Sequence, residues 1–195
     1  MRKIGLLGGT FDPVHYGHLL AAQVALDGCG LDEVWFIPTN VPPHKPQPGA
    51  SSSHRATMLQ LALAGNPGFR IEDIELQKDG TSYTIETVTG LQHSYPELSF
   101  LWILGSDMIQ DLPNWREIEQ LAERISFIGL ERPDQPSDES RLPDFIRSRL
   151  TRASMPPMGL SSTAIRRALK TGRSVRYMLP DPVIDYIQRN GLYES

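Results

Sequence analysis

The 195-residue sequence predicts an α/β fold: a doubly wound, mostly parallel sheet with helices on both faces and a small helical C-terminal part over about 144–195. Three observations predict it. The apolar runs at 3–7 and 98–104 do not alternate, as expected of strands buried on both faces. An apolar run, a helical segment and a second apolar run follow one another between Lys3 and Pro38, a βαβ unit that requires a parallel sheet and a right-handed crossover. Small and polar residues gather just beyond apolar runs, at Gly8-Gly9 and Gly105-Ser106-Asp107, where open parallel sheets collect ligands.

In chain order, residues 3–7 are the first strand, 18–26 the first helix (stopped by Gly28 and Gly30), and 33–38 the second strand. A proline-rich loop, 39–53, carries Asn40, His44 and Lys45, and a loop this long in a compact domain is commonly functional. Three serines then open a helix with Met58, Leu59, Leu61 and Ala62 on its apolar face. Residues 69–76 alternate imperfectly and are read as an edge or bent strand. After a turn at 78–82 and a helix over 84–93 comes 98–104, the most apolar strand and therefore central. Helical segments at 108–112 and 115–124 lead to a strand at 125–130, and 133–143 is a polar loop. Helices are expected at 144–152, 161–169 and 181–189. The elements together make a Rossmann-like, single domain spanning 1–195.

Composition narrows the function classes. No apolar run approaches the ~18 residues of a membrane span, and Met1-Arg2-Lys3 leads directly into a strand, so neither a membrane partner nor a signal peptide is expected. The single cysteine, Cys29, allows no intramolecular disulfide, and a cytoplasmic location is expected. Net charge is −4, yet nine Arg or Lys residues against one acid lie between Arg141 and Arg176. Local positive charge in an acidic protein suits a discrete anionic ligand. An RNA surface would need aromatics between the arginines, and only Phe145 stands there before Tyr177.

The richest stretch is Gly8-Gly9-Thr10-Phe11-Asp12-Pro13-Val14-His15-Tyr16-Gly17-His18. Its glycines let the backbone turn sharply and approach a ligand, and the following helix start favours phosphate. His15 and His18, three residues apart, can point at the same ligand. Neither the Gly-x-Gly-x-x-Gly pattern of hydride-transfer dinucleotide sites nor a P-loop is present, and a His-x-x-His pair without nearby Cys or Glu disfavours a resident metal. A second stretch, Leu160-Ser161-Ser162-Thr163-Ala164-Ile165-Arg166, combines an N-cap serine with a hydroxyl and a guanidinium on one helix face, again suited to an anion.

The first stretch resembles the signature of the nucleotidylyltransferase superfamily with the His-x-Gly-His motif, and the second its Ser-Ser-Thr-x-Ile-Arg motif. Ile37-Pro38-Thr39-Asn40-Val41-Pro42-Pro43-His44-Lys45, Ser82-Tyr83-Thr84, and Gly105-x-Asp107 with Leu112-Pro113-x-Trp115 are similar to bacterial nicotinate-mononucleotide adenylyltransferases in particular. The resemblance covers nearly the whole chain. It implies transfer of the adenylyl group of ATP to nicotinate mononucleotide, with Mg²⁺ arriving on ATP. It also implies ATP contacts at Gly8, Gly9, Thr10, Phe11, Gly105, Asp107, Ser161, Ser162 and Thr163. Charge-stabilising roles fall to His15, His18 and Arg166, and mononucleotide contacts to Asn40, Lys45, Tyr83, Thr84 and Trp115. Asp107 would hold either a ribose or the metal-bound phosphate shell. Arg116 departs from the pattern, since many relatives carry an aromatic there. The competing readings are phosphopantetheine adenylyltransferase, whose shorter chains usually lack the first histidine, a cytidylyltransferase, whose pattern lacks the Pro-Pro-His-Lys loop, and a non-catalytic nucleotide sensor. Oligomeric state is open.

Overall fold

The structure, a computed structural model, describes residues 1–40, 47–78, 80–131 and 139–194. Strand β1 (Arg2–Gly9) is followed by helix α1 (Tyr16–Gly28) and strand β2 (Glu33–Pro38), which lies parallel to β1 with Pro38 opposite Gly9. Helix α2 (Ser52–Leu63) starts where the Ser51 hydroxyl accepts the His54 N–H, and it leads to strand β3 (Phe69–Ile71). Helix α3 (Thr84–Ser94) then returns the chain to strand β4 (Leu98–Gly105), which inserts beside β1 with Trp102 opposite Leu6. Helix α4 (Ser106–Asp111), a 3₁₀ turn at Leu112–Asn114 and helix α5 (Ile118–Arg124) precede strand β5 (Ser126–Glu131). Helix α6 (Asp144–Arg147), strand β6 (Leu150–Ser154), helix α7 (Ser162–Lys170) and helix α8 (Asp181–Arg189) complete the chain.

The six strands pair in the order β3-β2-β1-β4-β5-β6, all parallel. This is the Rossmann-like arrangement expected, and its order reverses between β1 and β4. Alternation along the strands builds two cores. Ile4, Leu6, Trp35, Ile37, Trp102 and Leu104 face α3, α5 and α6, whereas Leu7, Val34, Phe36, Ile103 and Ile128 face α1, α2, α7 and α8. No helix among the described residues is long and apolar enough to cross a membrane.

Four boundaries differ from the sequence reading, each for a physical reason. Helix α1 begins at Tyr16, ahead of the expected His18, because His15 takes the N-cap with extended backbone (φ −147°). The expected strand over 69–76 stops at Ile71. Beyond it Asp73 folds the chain into a turn, accepting the Leu76 N–H at 2.8 Å on its carbonyl and the Gln77 amide at 2.9 Å on its carboxylate. Helix α5 starts only at Ile118, because Trp115 is extended and Glu117 is left-handed (φ 53°). The expected helix at 144–152 is a single turn followed by an edge strand. The backbone edge of β5 supplies partners, Leu150 and Ala153 turn inward, and exposed Arg152 pairs with Glu131 at 2.8 Å. The C-terminal part is therefore helical except for β6.

Candidate active site

The reversal of strand order opens a cleft at the carboxyl ends of β1 and β4, where Gly8-Gly9 and Gly105 stand. Gly8 is forced by a close approach: a Cβ there would lie 2.8 Å from Cζ2 of Trp102. Beyond Gly9 the chain turns over Phe11, whose ring is almost fully buried and meets His18 edge-on at 5.0 Å. The side chain of Phe11 is thus a support for His18, and only its backbone is available to a ligand.

His15 and His18 stack, with ring centroids 3.7 Å apart and planes 22° apart. Their closeness depends on Gly17, where a Cβ would come 2.9 Å from His15 Nδ1. His15 is buried and His18 is half-buried. The His15 backbone N–H donates to Nδ1 of His18 at 3.2 Å, so a neutral His18 ring carries its proton on Nε2. The His18 ring is held on three sides: by Phe11, by His15 and by its own helix.

The distal motif docks directly onto this turn. Ser161 caps α7 by accepting the Ala164 N–H at 3.2 Å, as its N-cap position predicted. The Ser162 hydroxyl donates to the Pro13 carbonyl at 2.9 Å, and Nη1 of Arg166 donates to the Asp12 carbonyl at 2.7 Å. Nη2 of Arg166 lies 3.5 Å from Oγ1 of Thr163, so the two share a helix face as the spacing required. Ser162 thus commits its proton to holding the two motifs together. Its backbone N–H, with that of Thr163, heads the first turn of α7.

Three residues of this assembly escaped the sequence reading. Asp12, buried, accepts hydrogen bonds from the Gly49 and Ala50 N–H groups (2.7 and 3.0 Å) and from the Tyr193 hydroxyl (2.6 Å), and it faces Arg166 at 3.6 Å. Arg55 is 1% exposed and donates to the carbonyls of Thr10 (2.7 Å), Thr39 (2.8 Å) and Asn40 (3.3 Å), tying the ends of β1 and β2 together. Burial pulls its guanidinium below the ordinary range, and the Asp12 carboxylate opposes that. A signal for Arg55 existed: it falls on the buried stripe of α2 with Met58, Leu59 and Leu63. Nothing local announces Tyr193.

The opposite wall is built on α3. Tyr83 occupies its N-cap position and Thr84 its first turn, and Thr87 donates to buried Glu75 at 2.7 Å. Burial raises the Glu75 carboxyl above its ordinary value, with the Thr87 hydrogen bond opposing. Asn40 fastens the preceding loop through its amide to the Lys78 carbonyl at 2.8 Å. Trp115, half-buried, meets Trp102 edge-on at 6.3 Å and so backs onto the ring that covers Gly8. Lys45 and His44 lie outside the described residues.

The comparisons with known proteins decide the family. The cytidylyltransferase-like family matches residues 6–168. The nicotinate-nucleotide adenylyltransferase of Bacillus subtilis is 44% identical over the full length of both chains. A probable nicotinate-nucleotide adenylyltransferase of Oceanobacillus iheyensis is 45% identical, covering 99% of this chain and 97% of the relative. This chain belongs to the nicotinate-nucleotide adenylyltransferase family. Among solved structures, Plasmodium falciparum nicotinic acid mononucleotide adenylyltransferase complexed with NaAD superimposes with a TM-score of 0.82 at 22% identity, covering 100% of this chain and 98% of that one, which shows a shared fold.

Arg116, the departure from the family pattern, lies with its guanidinium 4.5 Å from the Tyr83 ring centre and 3.5 Å from both Glu86 and Glu117. It covers the ring with a cation. The described residues hold no group of three or more His, Cys, Asp or Glu side chains suited to a metal. The donor set here, exposed Asp107 on the first turn of α4 at the carboxyl end of β4, fits a cation brought on a nucleotide.

Proposed function

We propose that this protein transfers the adenylyl group of ATP to nicotinate mononucleotide, forming nicotinate adenine dinucleotide and pyrophosphate. The observation that carries the reading is the docking of Ser162 and Arg166 onto the backbone of Pro13 and Asp12. It sets a guanidinium and a helix start beside the His15–His18 stack, so that two anion-binding helix ends serve one cleft. Relatives named for this activity, 44–45% identical over nearly the whole chain, support it.

An oxygen of the mononucleotide phosphate attacks the α-phosphorus of ATP in line. The bond from that phosphorus to the oxygen bridging the β-phosphate breaks, and pyrophosphate leaves with the electron pair. A phosphate monoester has a second pKa of about 6, so the nucleophile is already anionic and no side chain has to remove a proton. The work left to the protein is positioning and charge stabilisation. His15 and His18 serve the ATP phosphates, with His18, donating from Nε2 to the α-phosphate, bearing more on the charge of the transition state. Arg166 and Thr163 hold the β- and γ-phosphates with Ser161, Ser162 and the leading amides of α7. Gly8, Gly9, Thr10 and Phe11 offer backbone, and Gly105 leaves room beside it. Asp107 accepts from ribose hydroxyls or from the water shell of Mg²⁺, which when bound with ATP neutralises phosphate charge. Trp115 and Tyr83 face the nicotinate ring, Thr84 heads the helix whose amides suit its carboxylate, Asn40 stands on the same side, and the sequence motif assigns Lys45 to the same substrate.

The reading is tested by pyrophosphate release from Mg·ATP with nicotinate mononucleotide, its amide or phosphopantetheine offered in turn. Turnover with the acid, exceeding that with the other two, is expected. Turnover with phosphopantetheine alone, or with no acceptor, overturns it.

A further inference from the structure

We propose that Tyr193, near the C-terminal end, is a positioning residue for the nucleotide site, acting through Asp12 on Arg166. The inference rests on assigning Arg166 to the ATP phosphates. Tyr193 lies far from α7 in sequence, yet its hydroxyl donates to Oδ1 of Asp12 at 2.6 Å while Nη1 of Arg166 stands 3.6 Å from Oδ2 of the same carboxylate. Nη1 also donates to the Asp12 carbonyl, so Asp12 grips the guanidinium by backbone and side chain together. The Tyr193 ring and the Arg166 stem are close neighbours as well: a Cβ on Gly49 would fall 3.1 Å from Cε1 of Tyr193 and 3.5 Å from Cδ of Arg166.

The backbone of Tyr193 shows that this contact is held against resistance. Its φ of 68° is left-handed, a conformation that costs a bulky residue energy and persists where surrounding contacts fix it. Those contacts are in place. The Leu192 N–H donates to the Ile187 carbonyl at 3.1 Å, and α8 is fastened to α2 through a hydrogen bond between His54 and Tyr186 at 2.8 Å. The same helix α2 carries Arg55, which clasps the ends of β1 and β2. Burial, then the Asp12 hydrogen bond, pushes the Tyr193 hydroxyl far above its ordinary range, so it remains a donor. The C-terminal segment thereby joins one chain of contacts that runs through α2, α8, Tyr193, Asp12 and Arg166. A carboxylate beside a phosphate-binding arginine would otherwise draw the guanidinium onto itself. With both oxygens already occupied by Gly49, Ala50 and Tyr193, Asp12 aims Arg166 and leaves donors of the fork for phosphate.

The test is Tyr193→Phe, alone and combined with Arg166→Gln. Mg·ATP affinity is measured by equilibrium binding without acceptor, and steady-state constants are measured with nicotinate mononucleotide. The expected result is a loss of about tenfold in ATP affinity and in kcat/KM for ATP, an unchanged KM for the mononucleotide, and a melting temperature near that of the parent. In the Arg166→Gln background the same substitution should cost nothing further. A loss of equal size in both backgrounds, or no loss in either, overturns the proposal. If Tyr193→Phe does not fold, Gly49→Ala sets a methyl 3.1 Å from Cε1 of Tyr193, which shifts the ring and its hydroxyl on Asp12, and the same outcomes decide. Because the binding arm needs no acceptor, a wrong acceptor assignment shows as absent turnover beside an intact, non-additive cycle.

Discussion

The proposed nucleotide wall and the proposed acceptor wall of the cleft are built in contrasting ways. On the nucleotide wall, Asp12 collects bonds from Gly49, Ala50 and Tyr193, and Arg55 is buried among three carbonyls. On the acceptor wall, Arg116 rests at the surface on the Tyr83 ring and on Glu86 and Glu117, half exposed. Bonds that are buried and mutually braced present charge without reorganisation when a phosphate changes its charge distribution. Exposed ion pairs are each worth at most ~1 kcal/mol and tolerate replacement. The difference teaches which charges the fold holds rigidly and which rest replaceably at its surface, Arg116 among the latter.

Substitutions on the two walls should therefore separate cleanly. His18→Ala is expected to lower kcat by roughly 10²-fold or more with an unchanged melting curve, measured as pyrophosphate release at saturating substrates. Near-parental turnover would break the assignment of the stacked pair. Arg55→Ala removes the donor from the partly buried Thr10 and Thr39 carbonyls and should cost about 3 kcal/mol in chemical denaturation, a stability loss with no counterpart at Arg116. Equal, small losses at the two arginines would erase the distinction between the walls. Trp115→Ala should raise KM for the mononucleotide about tenfold and leave KM for ATP nearly alone, as stacking energies of ~1–3 kcal/mol imply. A matched rise in both would remove Trp115 from the acceptor wall.

The smallest effect concerns Glu75 beneath α3. Its carboxyl is raised above its ordinary value, so the folded protein holds that proton more tightly than the unfolded chain. The resulting stabilisation is complete below the ordinary carboxyl range and is lost as pH rises through the raised folded value. Glu75→Gln, which keeps an acceptor for Thr87, should therefore gain on the parent between acid and neutral pH in melting temperature. Parallel pH profiles would show that the burial of this carboxyl carries no cost.

Much of this was legible along the chain because the signals were local. The βαβ pattern, the non-alternating apolar runs, the glycines beside the histidines and the Ser161 cap each involve neighbours within a few residues. The edge strand β6 was not legible, since 144–152 reads as a continuous helix until the open edge of β5 supplies backbone partners. The same holds for Asp12. It sits inside the most informative motif, yet its partners come from residues 49, 50, 166 and 193.

Periodicity and turn chemistry were sufficient to set the fold class, the place of the cleft at the ends of the strands, and the existence of the two helix starts proposed for anions, because these depend on backbone geometry over short spans. That the two starts stand at one cleft depends on the strand order that brings β1 and β4 together and on the docking of α7 onto Asp12 and Pro13. Such pairings join residues distant in sequence, and their reward is burial and hydrogen bonding that exist only once the chain has closed on itself.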